Sequence, residues 1–151
     1  MERISKENYY LDIAQTVAAR STCLRRKFGA IIVSNDSIVS TGYNGAPRGR
    51  KNCSDLGTCM REELHIPRGE RYELCRSVHA EQNAIIQAAH LGQSIAGGTL
   101  YCTNQPCVIC AKMIINAGIK EVVYKQRYSI DSTSMRLLAE AGVKVRALEE
   151  E

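Results

Sequence analysis

Hydrophobic and polar positions follow a helical period in some stretches of the chain and a strand period in others. Near the start, Tyr10, Ile13 and Val17 share one face of a helix that should begin after Ser5. Two β-rich runs come next, and the Asn-Asp pair between them suits a hairpin turn. This pattern predicts a helix over residues 6–20 and strands over residues 29–34 and 37–42.

The second half of the chain alternates helical and strand patterns. One helical stretch should begin close to Ser77, a suitable N-cap, and another should open at Pro106 and stop at Gly118. A third stretch ends at Gly142. The pattern predicts helices over residues 77–92, 106–117 and 132–141, and strands over residues 99–103, 121–125 and 143–148.

The order of these elements is α-β-β-α-β-α-β-α-β, which predicts a five-stranded sheet covered by helices in an α/β fold. The chain has 151 residues, a common size for one compact domain, and 44% of them are apolar, enough for one core. We therefore expect a single domain over residues 1–151.

Residues 43–77 contain glycine, proline, charges of both signs and three cysteines, but little periodicity. We interpret about 46–77 as a long insertion, and a loop of that length needs something to organise it. A structural zinc site would do so, and four thiols could close it tetrahedrally, those of Cys23, Cys53, Cys59 and Cys75. His65 is an alternative to Cys59 as the fourth ligand.

The charge and the cysteines limit the class of protein. A net charge of +4 would attract a phosphorylated small molecule as readily as a nucleic acid. The first residues lack the apolar stretch of a signal peptide, and no later run is long enough to span a bilayer, so we expect a cytoplasmic protein. Seven cysteines in a reducing compartment indicate metal binding rather than disulfides. Cys102, on an apolar strand, should be an ordinary buried thiol.

Two short patterns carry candidate chemistry, His79-x-Glu81 and Pro106-Cys107-x-x-Cys110, each at a predicted helix start. Zn²⁺ prefers four tetrahedral ligands, and a catalytic site takes three of them from the protein and keeps one position for water. His79, Cys107 and Cys110 provide such a set. The partial positive charge at both helix starts would favour thiolates over thiols.

Glu81 is the candidate proton carrier. Zinc lowers the pKa of its bound water from about 15.7 to about 7, so hydroxide can form near neutral pH. A carboxyl group two residues after His79 can reach that water without occupying the metal, and can serve as general acid and base. A purely structural zinc site is the alternative, but it assigns no purpose to Glu81.

These residues resemble the zinc-dependent cytidine and deoxycytidylate deaminase superfamily, whose signature is His-x-Glu followed by Pro-Cys-x-x-Cys. The run Gly-Tyr-Asn-Gly-Ala-Pro at 42–47 is similar to the motif of deoxycytidylate deaminases, particularly the bacterial and phage type associated in some genomes with competence operons. The resemblance implies a cytidine-deaminase-like three-layer α/β/α fold with a mixed five-stranded sheet. It also implies hydrolysis of dCMP to dUMP and ammonia, which supplies dUMP for thymidylate synthesis.

The resemblance further implies where the substrate lies. The backbone of Ala80 would hold the base, Asn44 would lie near the nucleotide, and Tyr128 falls where an aromatic ring could flank it. By chemistry alone, the candidate ligands for the phosphate are Arg26, Lys27, Arg48 and Arg50.

Regulation and assembly are implied in the same way. Deoxycytidylate deaminases are often homo-oligomers, with the hexamer favoured, and are activated by dCTP and inhibited by dTTP. A dCTP effector would bring Mg²⁺ with it. Their Gly-Tyr-Asn-Gly motif is linked to the effector site, so Asn44 could serve regulation instead of catalysis. Some relatives bind a second zinc, which supports Cys23 and Cys53 most directly as its ligands.

Two other functions compete with this one. A deaminase of cytosine or adenine in nucleic acid should have a dense basic track with stacking aromatics, yet the chain has no Trp and one Phe. A non-catalytic zinc module linked to DNA uptake leaves Glu81 without a role. We therefore expect a small nucleotide, dCMP, as the partner, and neither a nucleic acid nor a membrane.

Overall fold

A mixed five-stranded sheet separates two layers of helices in the structure, a computed structural model that describes residues 2–126 and 132–149. The helices are α1 (Lys6–Ala18), α2 (Cys53–Leu56), α3 (Met60–Glu63), α4 (Ala80–His90), α5 (Val108–Asn116) and α6 (Ser132–Glu140). The strands are β1 (Gly29–Ser34), β2 (Ser37–Tyr43), β3 (Thr99–Cys102), β4 (Glu121–Gln126) and β5 (Lys144–Glu149).

The strand order β2-β1-β3-β4-β5 follows from how the strands are connected. β1 is antiparallel to both β2 and β3, whereas β3, β4 and β5 run parallel. Parallel neighbours need a crossover, and here α5 links β3 to β4 and α6 links β4 to β5. The predicted five-stranded α/β fold is confirmed. None of the helices in the described ranges is both long and apolar enough to cross a bilayer.

Alternate residues of the central strands point to opposite faces of the sheet, as the period of two requires. Ile31 and Tyr101 pack against α1 on one face. Ile32 and Leu100 belong to the core on the other face, which α4, α5 and α6 cover. The two cores make three layers, so the expected α/β/α arrangement is confirmed.

Helix α4 begins later than the pattern predicts. The pattern favours Ser77 as its N-cap. In the structure, however, Val78 is extended and pairs with Gly45 through two backbone hydrogen bonds, with N···O distances of 2.7 and 3.2 Å. This pairing leaves His79 as the N-cap of α4, and its backbone N–H donates to the side chain of Gln82 at 3.0 Å. The preceding insertion also contains more regular structure than expected, namely α2, α3 and a 3₁₀ turn over Tyr72–Leu74.

Gly42 of β2 lets α4 approach the sheet with its backbone. A Cβ atom at this position would lie 2.3 Å from the carbonyl oxygen of Ala80 and 2.4 Å from the backbone nitrogen of Ala84. Both atoms belong to the helix backbone and have little freedom to move aside. Glycine is therefore required at this position by a close approach, and that approach sets the position of the residues at the start of α4.

Side chains of α4 complete the contact with this outer strand. Gln87 accepts a hydrogen bond from the backbone N–H of Thr41 at 2.7 Å, and Asn83 donates one to the carbonyl of Tyr43 at 2.7 Å. Backbone groups at a sheet edge would otherwise be unpaired, so the helix both covers and aligns with β2.

We predict that Gly42→Ala destabilises the protein by about 1–3 kcal/mol, because the new methyl group overpacks the contact between β2 and α4. In a chain of this size the melting temperature should fall by roughly 3 to 10 °C. Thermal unfolding followed by circular dichroism measures the change. Ser37→Ala, at the exposed start of the same strand, is the control and should change stability by less than about 0.5 kcal/mol. Equal melting temperatures for both variants would contradict the packing argument.

Candidate active site

Two helix starts bring an imidazole and two thiols together. His79 is the N-cap of α4, Cys107 is the N-cap of α5, and Cys110 lies in the first turn of α5. The His79 Nδ1 atom is 3.5 Å from the Cys107 sulfur and 3.4 Å from the Cys110 sulfur. Within the described part of the chain, this is the one trio of His, Cys, Asp or Glu side chains whose ligand atoms all lie within 4.8 Å of one another.

The spacing of these three atoms fits a tetrahedral zinc ion. With Zn–S bonds of about 2.3 Å and Zn–N bonds of about 2.0 Å, tetrahedral angles place a nitrogen and a sulfur ligand about 3.5 Å apart. The two nitrogen-to-sulfur distances match that edge length. One imidazole and two sulfurs are also a donor set that Zn²⁺ favours, and three protein ligands leave one tetrahedral position.

Contacts to α6 and to β1 hold the segment that carries Cys107. The buried Ser134 hydroxyl of α6 donates to the carbonyl of Pro106 at 2.7 Å. At the end of β3, Thr103 exchanges hydrogen bonds with the backbone of Gly29 at 3.0 and 3.1 Å. The turn that leads into Cys107 is therefore held by hydrogen bonds at Thr103 and at Pro106.

The two thiols differ in how readily they ionise. Hydrogen bonds from Cys110 and His79 outweigh burial and lower the pKa of the Cys107 thiol to about 4. The hydrogen bond between Cys110 and Cys107, together with burial, raises the pKa of the Cys110 thiol. A cation held between the two sulfurs would favour the thiolate form of both.

Glu81 lies in the first turn of α4 and is only 7% exposed. Burial raises the pKa of its carboxyl group, while the charge of His79 acts in the opposite direction. A carboxyl group with a raised pKa can both donate and accept a proton near neutral pH. Glu81 therefore has the environment that proton transfer beside the His79 and Cys107 ligands would require.

A cavity of about 320 Å³ opens onto these side chains. His79, Glu81 and Cys107 form part of its wall. The cavity wall also contains four arginines, Arg25, Arg26, Arg61 and Arg68, against one carboxylate. This excess of positive charge favours an anionic ligand.

Asn44 and Arg26, two of the residues predicted to bind substrate, both line this cavity. Asn44 is 5% exposed, and its amide is tied to the backbone nearby. Its oxygen accepts from the Phe28 N–H at 2.9 Å, and its nitrogen donates to the Arg26 carbonyl at 3.0 Å. Asn44 thus shapes the segment that carries Arg26 into the cavity wall.

The other candidate substrate residues are not among the described residues of the cavity wall. Ala80 is fully buried and its carbonyl faces Gly42. The described residues that line the cavity do not include Ala80, nor the three remaining phosphate candidates, Lys27, Arg48 and Arg50. Tyr128 lies outside the described residues.

The four cysteines of the predicted second site lie in one region of the molecule. Three of them, Cys23, Cys59 and Cys75, line the cavity that also contains His79 and Cys107. Cys53 is buried, burial raises the pKa of its thiol, and the nearby sulfurs of Cys23, Cys59 and Cys75 add to the rise. The sulfurs are near one another but do not form a trio within 4.8 Å. His65 is exposed, which makes Cys59 the better placed fourth candidate.

Two residues of the insertion that the sequence patterns did not identify belong to the site. The Tyr72 ring stands edge-on to the His79 ring, with centroids 5.8 Å apart, and the Arg61 guanidinium lies 5.1 Å from the Tyr72 centroid. The insertion has no periodicity from which these contacts could be inferred.

Cys102 is fully buried on β3, as expected, and burial raises the pKa of its thiol well above the usual range.

Comparison with known proteins agrees with this geometry. Residues 4–126 match the family model described as the cytidine and deoxycytidylate deaminase zinc-binding region. The chain is 39% identical over 146 residues to the deoxycytidylate deaminase of Schizosaccharomyces pombe, with 95% of this chain covered. It is 38% identical over 149 residues to ComE operon protein 2 of Bacillus subtilis, with 99% of this chain and 74% of that protein covered.

A solved structure is similar over the same range. The dCMP deaminase of the cyanophage S-TIM5, in complex with dCMP and dUMP, is 34% identical and has a TM-score of 0.75. The similarity covers 97% of this chain and all of that one. The curated relatives differ in size, since the chain spans 44% of the length of the Schizosaccharomyces pombe protein.

We predict that Cys110→Ala lowers the zinc content by about one ion per chain, because two remaining ligands hold zinc too weakly. Metal analysis of protein purified from zinc-supplemented cells measures this. Cys102→Ala removes an equally buried thiol that is not part of the ligand trio, and it should retain the ion. Unchanged zinc in Cys110→Ala would contradict the assignment.

Proposed function

Since the chain belongs to the zinc-binding cytidine and deoxycytidylate deaminase family, we propose that it hydrolyses dCMP to dUMP and ammonia and so supplies dUMP for thymidylate synthesis. One observation carries this proposal. A zinc-type ligand group and a buried carboxyl group share a cavity whose charged wall residues are mainly arginines. A substrate with an aminated ring and a phosphate matches both features.

His79, Cys107 and Cys110 would hold the zinc ion. When bound, zinc supplies Lewis-acid chemistry that lets water act as a nucleophile near neutral pH. Glu81 would take a proton from the attacking water and deliver protons to the ring nitrogen and to the departing amine. Its raised pKa suits both directions of this transfer, since the same carboxyl group must first accept a proton and then release it.

Residues of the cavity wall would orient the nucleotide. Asn44 and Arg26 are the predicted contacts that line the cavity, and Asn44 would act near the nucleotide or at an effector site. By family resemblance, two residues that are not among the described residues of the cavity wall would also contribute: the backbone of Ala80, at the first position of α4, would hold the base, and Tyr128 would flank the nucleotide. These contacts would fix the aminated carbon beside Glu81.

The properties of the site favour a small nucleotide over the two competing functions. The cavity volume of about 320 Å³ is at the small end of ligand pockets, which suits one nucleotide. The similar cyanophage enzyme is described with dCMP and dUMP bound. A non-catalytic zinc module would not need a carboxyl group buried beside the ligands, where it is costly to ionise.

The insertion would be held by a second zinc. The four candidate ligands converge on one region, and a tetrahedral ion would draw their sulfurs closer together than they are without it. The protein would then be a single domain over residues 1–151, with an insertion at about 46–77 that the zinc holds against the body of the domain. Because three of these thiols line the cavity, the second zinc would also support its wall.

We extend the proposal to assembly and regulation on the basis of family membership alone. The protein would be a cytoplasmic homo-oligomer, with a hexamer favoured. It would respond to dCTP, bound with Mg²⁺, and to dTTP. In that case Asn44 would be a candidate for the effector site as well as for the substrate.

We predict that zinc-loaded protein releases ammonia from dCMP faster than from CMP, deoxycytidine or a cytosine-containing oligonucleotide. Glu81→Gln should keep its zinc and lose at least about 10²-fold in turnover, because the amide cannot carry protons. Glu63→Gln, an exposed acid of α3, is the matched control and should keep full activity.

Each possible result of this experiment assigns a function. Turnover of none of the compounds by zinc-loaded protein would favour the non-catalytic module. Preference for the oligonucleotide would favour a nucleic-acid deaminase. Full activity of Glu81→Gln would refute the role of that carboxyl group.

For the second metal site, we predict that Cys53→Ser lowers both the zinc content and the melting temperature, because one ligand of the insertion is lost. Catalytic zinc, held by other residues, should remain. Metal analysis and thermal unfolding measure the two quantities, with Cys102→Ala as the control for loss of a buried thiol. If neither quantity changes in Cys53→Ser, the insertion is held without zinc.

A further inference from the structure

We propose that the guanidinium group of Arg61 binds the phosphate of the substrate and thereby makes the site specific for a nucleotide over a nucleoside. This inference rests on the proposed deaminase function and adds a specificity residue that lies outside the motifs. Arg61 belongs to α3, a single helical turn within the insertion.

Arg61 is buried to an unusual degree for an arginine. It is 8% exposed, whereas Arg25 and Arg68, which line the same cavity, are exposed. Lysine and arginine side chains are almost never fully buried unless they are paired, because removing the charge from water is costly. Arg61 therefore needs a compensating partner.

The protein provides only part of that compensation. One terminal nitrogen of Arg61 donates to the carbonyl oxygens of Pro67 and Glu70, at 2.9 and 2.7 Å. Its Nε atom is covered and has no hydrogen-bond partner. Over the described residues, no ion pair includes Arg61. A cation in the cavity wall that no carboxylate of the described residues neutralises is suited to an anionic ligand that accepts hydrogen bonds.

Arg61 lies close enough to the His79 ligand for one nucleotide to reach both. The guanidinium carbon lies 5.1 Å from the Tyr72 ring centroid, and that centroid lies 5.8 Å from the centroid of His79. These two distances keep Arg61 within the span of one nucleotide from the reaction centre. A base held at His79 and Glu81 would leave its phosphate to be bound farther along the cavity wall.

The other arginines of the cavity are less suited to discriminate. Arg25 is exposed and pairs with Glu62 at 3.3 Å, so water and a carboxylate already screen its charge. Arg68 is also exposed, and Arg26 is only half-buried. A charge in a low-dielectric setting interacts more strongly with a phosphate than one in water does. Arg61 should therefore contribute most to the difference between dCMP and deoxycytidine.

The contacts of Arg61 also admit a purely structural role, in which it braces the insertion through Pro67, Glu70 and Tyr72. The two roles differ in one measurable respect. Loss of a structural contact should lower kcat/KM equally for every substrate. Loss of a phosphate ligand should lower kcat/KM only for substrates that carry the phosphate. Removing the phosphate from the substrate therefore separates the roles without relying on stability.

The experiment measures kcat/KM for dCMP and for deoxycytidine in the zinc-loaded wild type, Arg61→Gln and Arg61→Lys. We expect Arg61→Gln to lose about 10- to 100-fold with dCMP, the worth of a hydrogen bond to a charged group, and to change by less than about threefold with deoxycytidine. Arg61→Lys should recover part of the loss, since it keeps the charge but not the fork geometry. Arg20→Gln, an exposed arginine after α1, is the control and should match the wild type with both substrates.

Product binding provides a second measurement that does not depend on turnover. Calorimetry should show that the wild type binds dUMP more tightly than deoxyuridine, and that Arg61→Gln removes most of this difference. Metal analysis of each variant shows whether zinc is retained. If Arg61→Gln does not fold, Arg61→Lys decides, because its loss must still be confined to the phosphorylated compounds.

Three results would overturn the inference while leaving the deaminase function intact. These are equal losses with dCMP and deoxycytidine in the Arg61 variants, no loss with either substrate, or a wild type that does not distinguish the two. Failure of the proposed function looks different, because the zinc-loaded wild type would then deaminate neither compound. In that case the affinity for inorganic phosphate, compared between wild type and Arg61→Gln, still tests Arg61.

Discussion

The close approach of α4 to β2 is the constraint on which the rest of the site depends. Gly42 has no side chain, so the backbone of the helix reaches the strand at Ala80 and Ala84. The pairing of Val78 with Gly45 then ends the extended chain just before the helix. The imidazole of the N-cap is consequently directed at the start of α5, where the two sulfurs lie.

The three zinc-type ligands thus lie at the starts of two helices on one face of the sheet. The order of the strands sets how far apart these helix starts lie. β1 lies between β2 and β3, and α4 and α5 both cover the same face. Nitrogen and sulfur come within 3.4 to 3.5 Å, the separation that a tetrahedral zinc ion requires. The same packing buries Glu81, which raises the pKa of its carboxyl group and suits it to proton transfer.

The insertion completes the cavity with residues of a different chemistry. The sheet side of the cavity provides ligands and a carboxyl group, whereas the insertion provides Arg61, Tyr72 and two of the cysteines, Cys59 and Cys75. Arg61 over Tyr72, and Tyr72 against His79, connect the insertion to the ligand group. The segment with the least regular pattern therefore contributes a large part of the cavity wall around the ligands.

Local patterns along the sequence were sufficient to determine the order of the elements outside the insertion, the five-stranded α/β fold and the residues from which a zinc site could be built, because period, caps and ligand spacing are short-range properties. Tertiary structure decided which face α4 covers, why Gly42 is needed, and that Arg61 lies buried beside Tyr72. It also showed that Lys27, Arg48 and Arg50 do not line the cavity. These features depend on contacts between segments far apart in the chain, and an aperiodic insertion has no local signal that specifies its contacts.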